Sequence, residues 1–99
     1  MATLHLLSHS PFSDSRLSSC LRLLGPQDGL LLNGDAVYAL QPGSAQLQAL
    51  LLMPEGIGLY ALDEDLQARN LAAPARARVV DYPAFVELCT AYAKVNSWL

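Results

Sequence analysis

An α/β fold, with a mainly parallel sheet of about four to five strands flanked by helices, is what three features of the sequence predict. Short apolar runs alternate with amphipathic stretches along the whole length, the runs are unbroken, and Gly, Pro or a capping residue marks nearly every junction. Strands covered on both faces by helices have no solvent side, so they read as continuous apolar segments.

The chain opens with Thr3-Leu4-His5-Leu6-Leu7-Ser8, a buried-strand pattern stopped by His9-Ser10-Pro11. Ser13 or Asp14 can cap the next helix by accepting its free amides. There Leu17, Cys20, Leu21 and Leu24 recur at helical spacing, and Gly25-Pro26 ends the helix. Gly29-Leu30-Leu31-Leu32 is a second strand, leading into Asn33-Gly34-Asp35, and Asp35 is placed to cap a short helical turn from Ala36 to Leu40. Ser44 caps a helix bearing Leu47, Leu50 and Leu51, which Pro54-Glu55-Gly56 stops. Ile57 to Leu62 is the third strand, and Asp63-Glu64-Asp65 begins a short helix through Asn70, its acids suited to the positive end of the helix dipole. After a small-residue loop from Ala72 to Ala77, Arg78 to Asp81 is a short last strand. Pro83 fits the first turn of a final helix that carries Phe85, Leu88, Cys89 and Tyr92 and ends near Asn96-Ser97-Trp98-Leu99.

At 99 residues the chain makes one domain, and 53% apolar residues are ample for its core. Only 15% are charged, against about 25% in ordinary soluble domains. Apolar surface in excess of what a small globule can hide points to a partner interface, because obligate interfaces resemble a core cut in half. The net charge is −3, and the six bases (Arg16, Arg22, Arg69, Arg76, Arg78, Lys94) are scattered singly, so direct binding to nucleic acid is not expected. No run has the length of a bilayer span and the start lacks a basic leader, which makes the expected location cytoplasmic. Cys20 and Cys89 lack disulfide or zinc spacing. GxGxxG, P-loop, GxSxG and HExxH patterns are missing, so nucleotide-binding and hydrolase chemistry lack support and no cofactor is expected.

Several stretches in register resemble the TusB/DsrH family of sulfur-relay proteins, within the wider DsrE-like group. They are Leu4 to Pro11, Gly29 to Asp35, Leu59 to Arg69, Asp81 to Val86 and Val95 to Trp98, in matching order over almost the full chain. The Tyr60-Ala61-Leu62 segment followed by Asp65-Leu66-Gln67-Ala68-Arg69 carries most weight. The resemblance implies a single DsrE/DsrH-like domain over residues 1–99 with a flavodoxin-like three-layer fold. It also implies a heterohexamer with TusC-like and TusD-like sister subunits. Persulfide sulfur would enter from a TusA-like donor and leave to a TusE-like acceptor, towards 2-thiolation of the tRNA wobble uridine. The principal sulfur-carrying cysteine of that assembly belongs to the TusD-like chain. In the sulfur-oxidising DsrH branch a cysteine near the first helix is a second candidate, and Cys20 lies in that region.

Persulfide relay needs a thiolate. Cys20 is the candidate catalytic residue here, with Arg16 and His9 near enough in sequence to favour its charged form. The competing reading makes it a core residue of the leucine stripe, since free cysteine is among the most buried types. Cys89 reads as structural. His9 follows the first strand, where a proton shuttle, a partner contact or a simple loop hydrogen bond would each suit it, and His5 reads as edge-exposed or satisfied within the core. Asp63, Glu64 and Asp65 are accounted for by helix capping. Three functions follow: an interaction subunit of a relay complex, a sulfurtransferase working through Cys20, or an unrelated flavodoxin-like ligand binder using the strand-end crevice.

Overall fold

A computed structural model describes residues 2–98. Over these the strands are β1 (Thr3–Leu7), β2 (Gly29–Leu32), β3 (Gly58–Leu62), β4 (Arg78–Val80) and β5 (Lys94–Trp98). The helices are α1 (Arg16–Leu23), α2 (Ala45–Leu51), α3 (Asp63–Ala68) and α4 (Tyr82–Ala91), with a 3-10 turn at Gly34–Leu40 before α2. The sheet has five strands in the order β4-β3-β2-β1-β5, and every pairing is parallel. The α/β fold and its parallel sheet, sandwiched between helices, are thus as the apolar runs require.

The chain steps outward from β1 to β4 and then returns across the whole sheet to place β5 beside β1. Parallel crossovers are right-handed, so a connection running the opposite way must pass over the opposite face. Accordingly α1, the 3-10 turn, α2 and α3 cover one face, where Leu7, Leu30, Leu32, Leu59 and Ala61 meet Leu17, Cys20, Val37, Leu40, Leu50 and Leu66. The other face, presenting Leu4, Leu31, Leu62 and Val80, is covered by α4 through Ala84, Phe85, Leu88 and Cys89. Leu4, Leu30, Leu31 and Leu32 have no exposed surface. Each such leucine stabilises the fold by about 1.5–3 kcal/mol relative to an exposed one.

Local chemistry sets the junctions. Ser44 caps α2 by accepting the Leu47 amide at 3.1 Å, and Asp81 caps α4 by accepting that of Ala84 at 2.9 Å. Gly34 has φ of +52°, and a Cβ there would stand 3.1 Å from the Ser8 carbonyl, so glycine is favoured at this turn between β2 and the 3-10 segment. Near the amino ends of the strands the Tyr60 and Tyr92 hydroxyls share a hydrogen bond of 3.2 Å. A Cβ on Gly58 would come within 2.6 Å of the Tyr60 hydroxyl, and one on Gly29 would strike that of Tyr92. Burial, then the Tyr60 hydroxyl, pushes the Tyr92 phenol above its ordinary range.

Of the two cap candidates for the first helix, Asp14 accepts the amide of Arg16, its first residue, at 3.0 Å, while Ser15 at the cap position makes no side-chain bond. Two local expectations are corrected. Asp35 does not cap the 3-10 turn but lies within its first turn, behind Asn33, and its carboxylate turns outward to Arg69. The last helix stops at Ala91, and Lys94–Trp98 is a strand. Tyr92 turns the chain to extended geometry, and the Ala93 and Lys94 amides both bond the Ala2 carbonyl, at 3.1 and 3.3 Å. The outer edge of β1 would otherwise leave backbone groups unpaired, and a Val-Asn-Ser-Trp segment supplies a β-branched and an aromatic residue for pairing there. Leu99, read as part of the terminal segment, lies outside the described residues.

Candidate functional site

Cys20 sits on the inward side of α1 with no exposed surface, among the leucines of the larger core. Burial first, and the Asp28 carboxylate second, push its thiol up to about 12. Both causes oppose the thiolate that sulfur transfer requires. Arg16 does not offset them, because its guanidinium is paired with Asp14. The Arg16 amide and guanidinium together hold the Asp14 carboxyl low. His9 is exposed at the end of β1. Cys89, half-buried, packs on the α4 face. The two thiols are therefore on opposite sides of the sheet and both are free.

The carboxyl ends of the strands bring Ser8, His9, Asn33, Gly34, Asp35, Asp63 and Asp65 to one rim. Most of their charges are already engaged. Asp65 accepts the Gly34 amide at 2.8 Å. Arg69 spans Asp35 at 2.8 Å and Asp65 at 3.6 Å, with its guanidinium 5.6 Å above the Tyr38 ring. This cluster ties α3 to the 3-10 turn, and the Asp35 carboxylate raises the Arg69 pKa further. Asp63 accepts from the Gln67 side chain at 2.9 Å. Among the described residues, Asn33 Oδ1 is the buried side-chain atom left without a hydrogen-bond partner. No group of three His, Cys, Asp or Glu among those residues is arranged to hold a metal ion.

In a second constellation His5 is satisfied within the core, one of its two expected settings, by partners that no local spacing announces. His5 and Asp28, 6% and 8% exposed, are the buried polar residues of the described chain. Asp28 accepts the Thr3 amide at 2.9 Å, the Gly25 amide at 2.9 Å and His5 Nε2 at 3.3 Å. Trp98 Nε1 donates to His5 Nδ1 at 3.1 Å. An indole N–H can only donate, so Nδ1 must be the bare nitrogen and the imidazole proton sits on Nε2, facing Asp28. Burial pushes the Asp28 carboxyl up, but the Gly25 and Thr3 amides and the His5 ring outweigh it and hold the group below its usual range. Residues 93 positions apart are joined this way, and no local spacing announces such a contact.

The surface carries much apolar area. Leu52 is 83% exposed, Leu23 66%, Val86 60% and Phe12 54%. Leu52 also borders an apolar hollow of about 440 Å³ between α1 and α2, floored by Met53 and Ile57. No helix of the described residues is long and apolar enough to cross a membrane.

The model of the family described as DsrH-like protein matches residues 9–95. A relative from Erwinia tasmaniensis, called Protein TusB, is 46% identical over 97 residues, spanning 96% of this chain and 99% of its own. Proteins TusB of Serratia proteamaculans and Escherichia coli are 42% and 37% identical, with the same 96% and 99% coverage. The crystal structure of the ychN protein from E. coli superposes with a TM-score of 0.75, at 16% identity, over 99% of this chain and 100% of that one. That likeness concerns the fold: a five-stranded, all-parallel sheet between helices, in an order that differs from the 2-1-3-4-5 of flavodoxin-like sheets. The chain belongs to the DsrH-like family, together with its TusB relatives.

Proposed function

We propose that this chain is the TusB-like subunit of a cytoplasmic sulfur-relay complex, one that passes persulfide sulfur towards 2-thiolation of the tRNA wobble uridine. In this reading the whole chain acts as one domain. It assembles with TusC-like and TusD-like sister chains in a heterohexamer, served by a TusA-like donor and a TusE-like acceptor. Its own part is structural, and the reacting thiol belongs to a sister chain. Family membership supports the pathway.

The observation that carries the division of labour is the burial of Cys20, whose thiol is driven towards its neutral form. Leu52, Leu23 and Val86 support an assembly role, as apolar side chains that a lone globule leaves in water. Co-expression with the two sister chains tests the reading. A common peak on gel filtration is expected, with wobble-uridine thiolation intact when Cys20→Ala replaces the wild-type subunit. A chain that never enters the common peak removes the assembly role. Loss of thiolation in Cys20→Ala, with the peak unchanged, makes Cys20 the sulfur carrier instead.

A further inference from the structure

The last described strand, β5, is held by a ladder of five residue pairs to β1. β5 lies at the edge of the sheet, with β1 as its one neighbour. Lys94 to Ser97 are exposed, and Trp98 is the β5 side chain with substantial cover. Trp98 rests at the margin of the larger core, its ring 6.2 Å from that of His5 and tilted by 43°. Its indole N–H ends on His5 Nδ1 at 3.1 Å.

The charged and titratable groups around His5 form a short inventory. Asp28, from the loop before β2, accepts from Nε2. Behind it, Cys20 of α1 and the Tyr92 phenol at the end of α4 feel the Asp28 charge, and both are kept neutral by burial. The Tyr60 hydroxyl of β3 hydrogen-bonds that of Tyr92. Lys94 of β5 is exposed, two positions before Asn96, the register partner of His5.

Protonation of the imidazole therefore has opposite consequences at its two nitrogens. Nε2 donates to Asp28 in either state, and the bond becomes an ion pair when the ring is charged. Nδ1 gains a proton and turns from acceptor to donor, directly opposite the Trp98 N–H. Two donors at that separation repel, and the part-buried indole N–H loses its partner.

We propose that His5 is a proton-operated latch for the end of β5: neutral, it holds Trp98; protonated, it stays with Asp28 and lets the Trp98 indole go, loosening the strand there. The proton comes from solvent and no covalent bond is made. The change is confined to the His5–Trp98 contact and leaves the rest of the sheet in place.

Trp98 is the single tryptophan, so emission from the full-length chain reports on the latch directly. On going from pH 8 to pH 5, the emission maximum should move to longer wavelength. Amides of residues 94–98 should exchange about tenfold faster than their pH-corrected reference, the factor lost with one ordinary hydrogen bond, while the helical circular dichroism is retained. His5→Gln keeps a donor and an acceptor without titrating, and should abolish the pH response. His9→Gln, altering the exposed second histidine, should leave it intact. Should His5→Gln not fold, Trp98→Phe serves: with no indole N–H, exchange in β5 should lose its extra dependence on pH. A response that persists in these variants, none in the wild type, or helical signal lost at the same midpoint would overturn the latch.

Discussion

Replacing Asp28 by alanine removes the acceptor of three hydrogen bonds at once, from Thr3, Gly25 and His5. The two amide bonds are short, at 2.9 Å each, and bonds to a charged group contribute about 1.5–3 kcal/mol apiece. Both sites are partly reached by water, which favours the lower end of that range, and the 3.3 Å contact to His5 adds little. The expected loss is therefore about 3–4 kcal/mol, a large share of the roughly 5–15 kcal/mol that holds a domain of this size. The dependence on pH has a definite sign. The folded-state carboxyl lies below its usual range, so its contribution is fully present above the unfolded value of about 3.9 and fades as pH falls through the lower folded value. Urea unfolding followed by circular dichroism should show the full difference between wild type and Asp28→Ala at pH 7. That difference should shrink steadily as pH falls below about 4. Asp28→Asn should fall between the two, because it keeps one acceptor but turns an N–H group towards donors. A loss under about 1 kcal/mol for Asp28→Ala, or a difference that ignores pH, would refute this account of the buried carboxylate.

Two further outcomes follow from the same geometry. Under native conditions at pH 8, a water-soluble thiol reagent should modify Cys89 slowly and leave Cys20 untouched until the chain is unfolded, since Cys20 has no exposed surface; fast labelling of Cys20 would mean that the α1 face opens readily. Gly34→Ala should lower stability by about 1–2 kcal/mol from the left-handed backbone alone, read as a lower urea midpoint with unchanged slope, because φ is +52° and the Ser8 carbonyl stands against the new methyl; an unchanged midpoint would show that the turn relaxes.

Much of the architecture was legible because buried parallel strands need continuous apolar runs, and Leu30-Leu31-Leu32 or Leu4 to Leu7 have no other economical use. Ser44 was recognisable as a cap because a hydroxyl three residues before a free amide satisfies it locally. Lys94–Trp98 was misread as the tail of a helix, since nothing in five largely polar residues distinguishes a fraying helix end from an edge strand. Its identity comes from the open side of β1, which lies more than ninety residues away in sequence. The sequence did single out Cys20 correctly as part of the leucine stripe. Whether Arg16 or Asp28 would govern its charge depended on the fold, which ties Arg16 to Asp14 and sets Asp28 close enough to oppose the thiolate.

The sequence by itself determined the layered α/β plan, the family and the shortage of charge, because periodicity, turn residues and composition act within a few positions or over the chain as a whole. Only the tertiary structure decided that α4 alone covers one face, that the terminal segment is β5, and that His5 stands between Asp28 and Trp98. Those outcomes rest on contacts between segments far apart in the chain. Their energies appear only once the sheet has brought the segments within hydrogen-bonding distance.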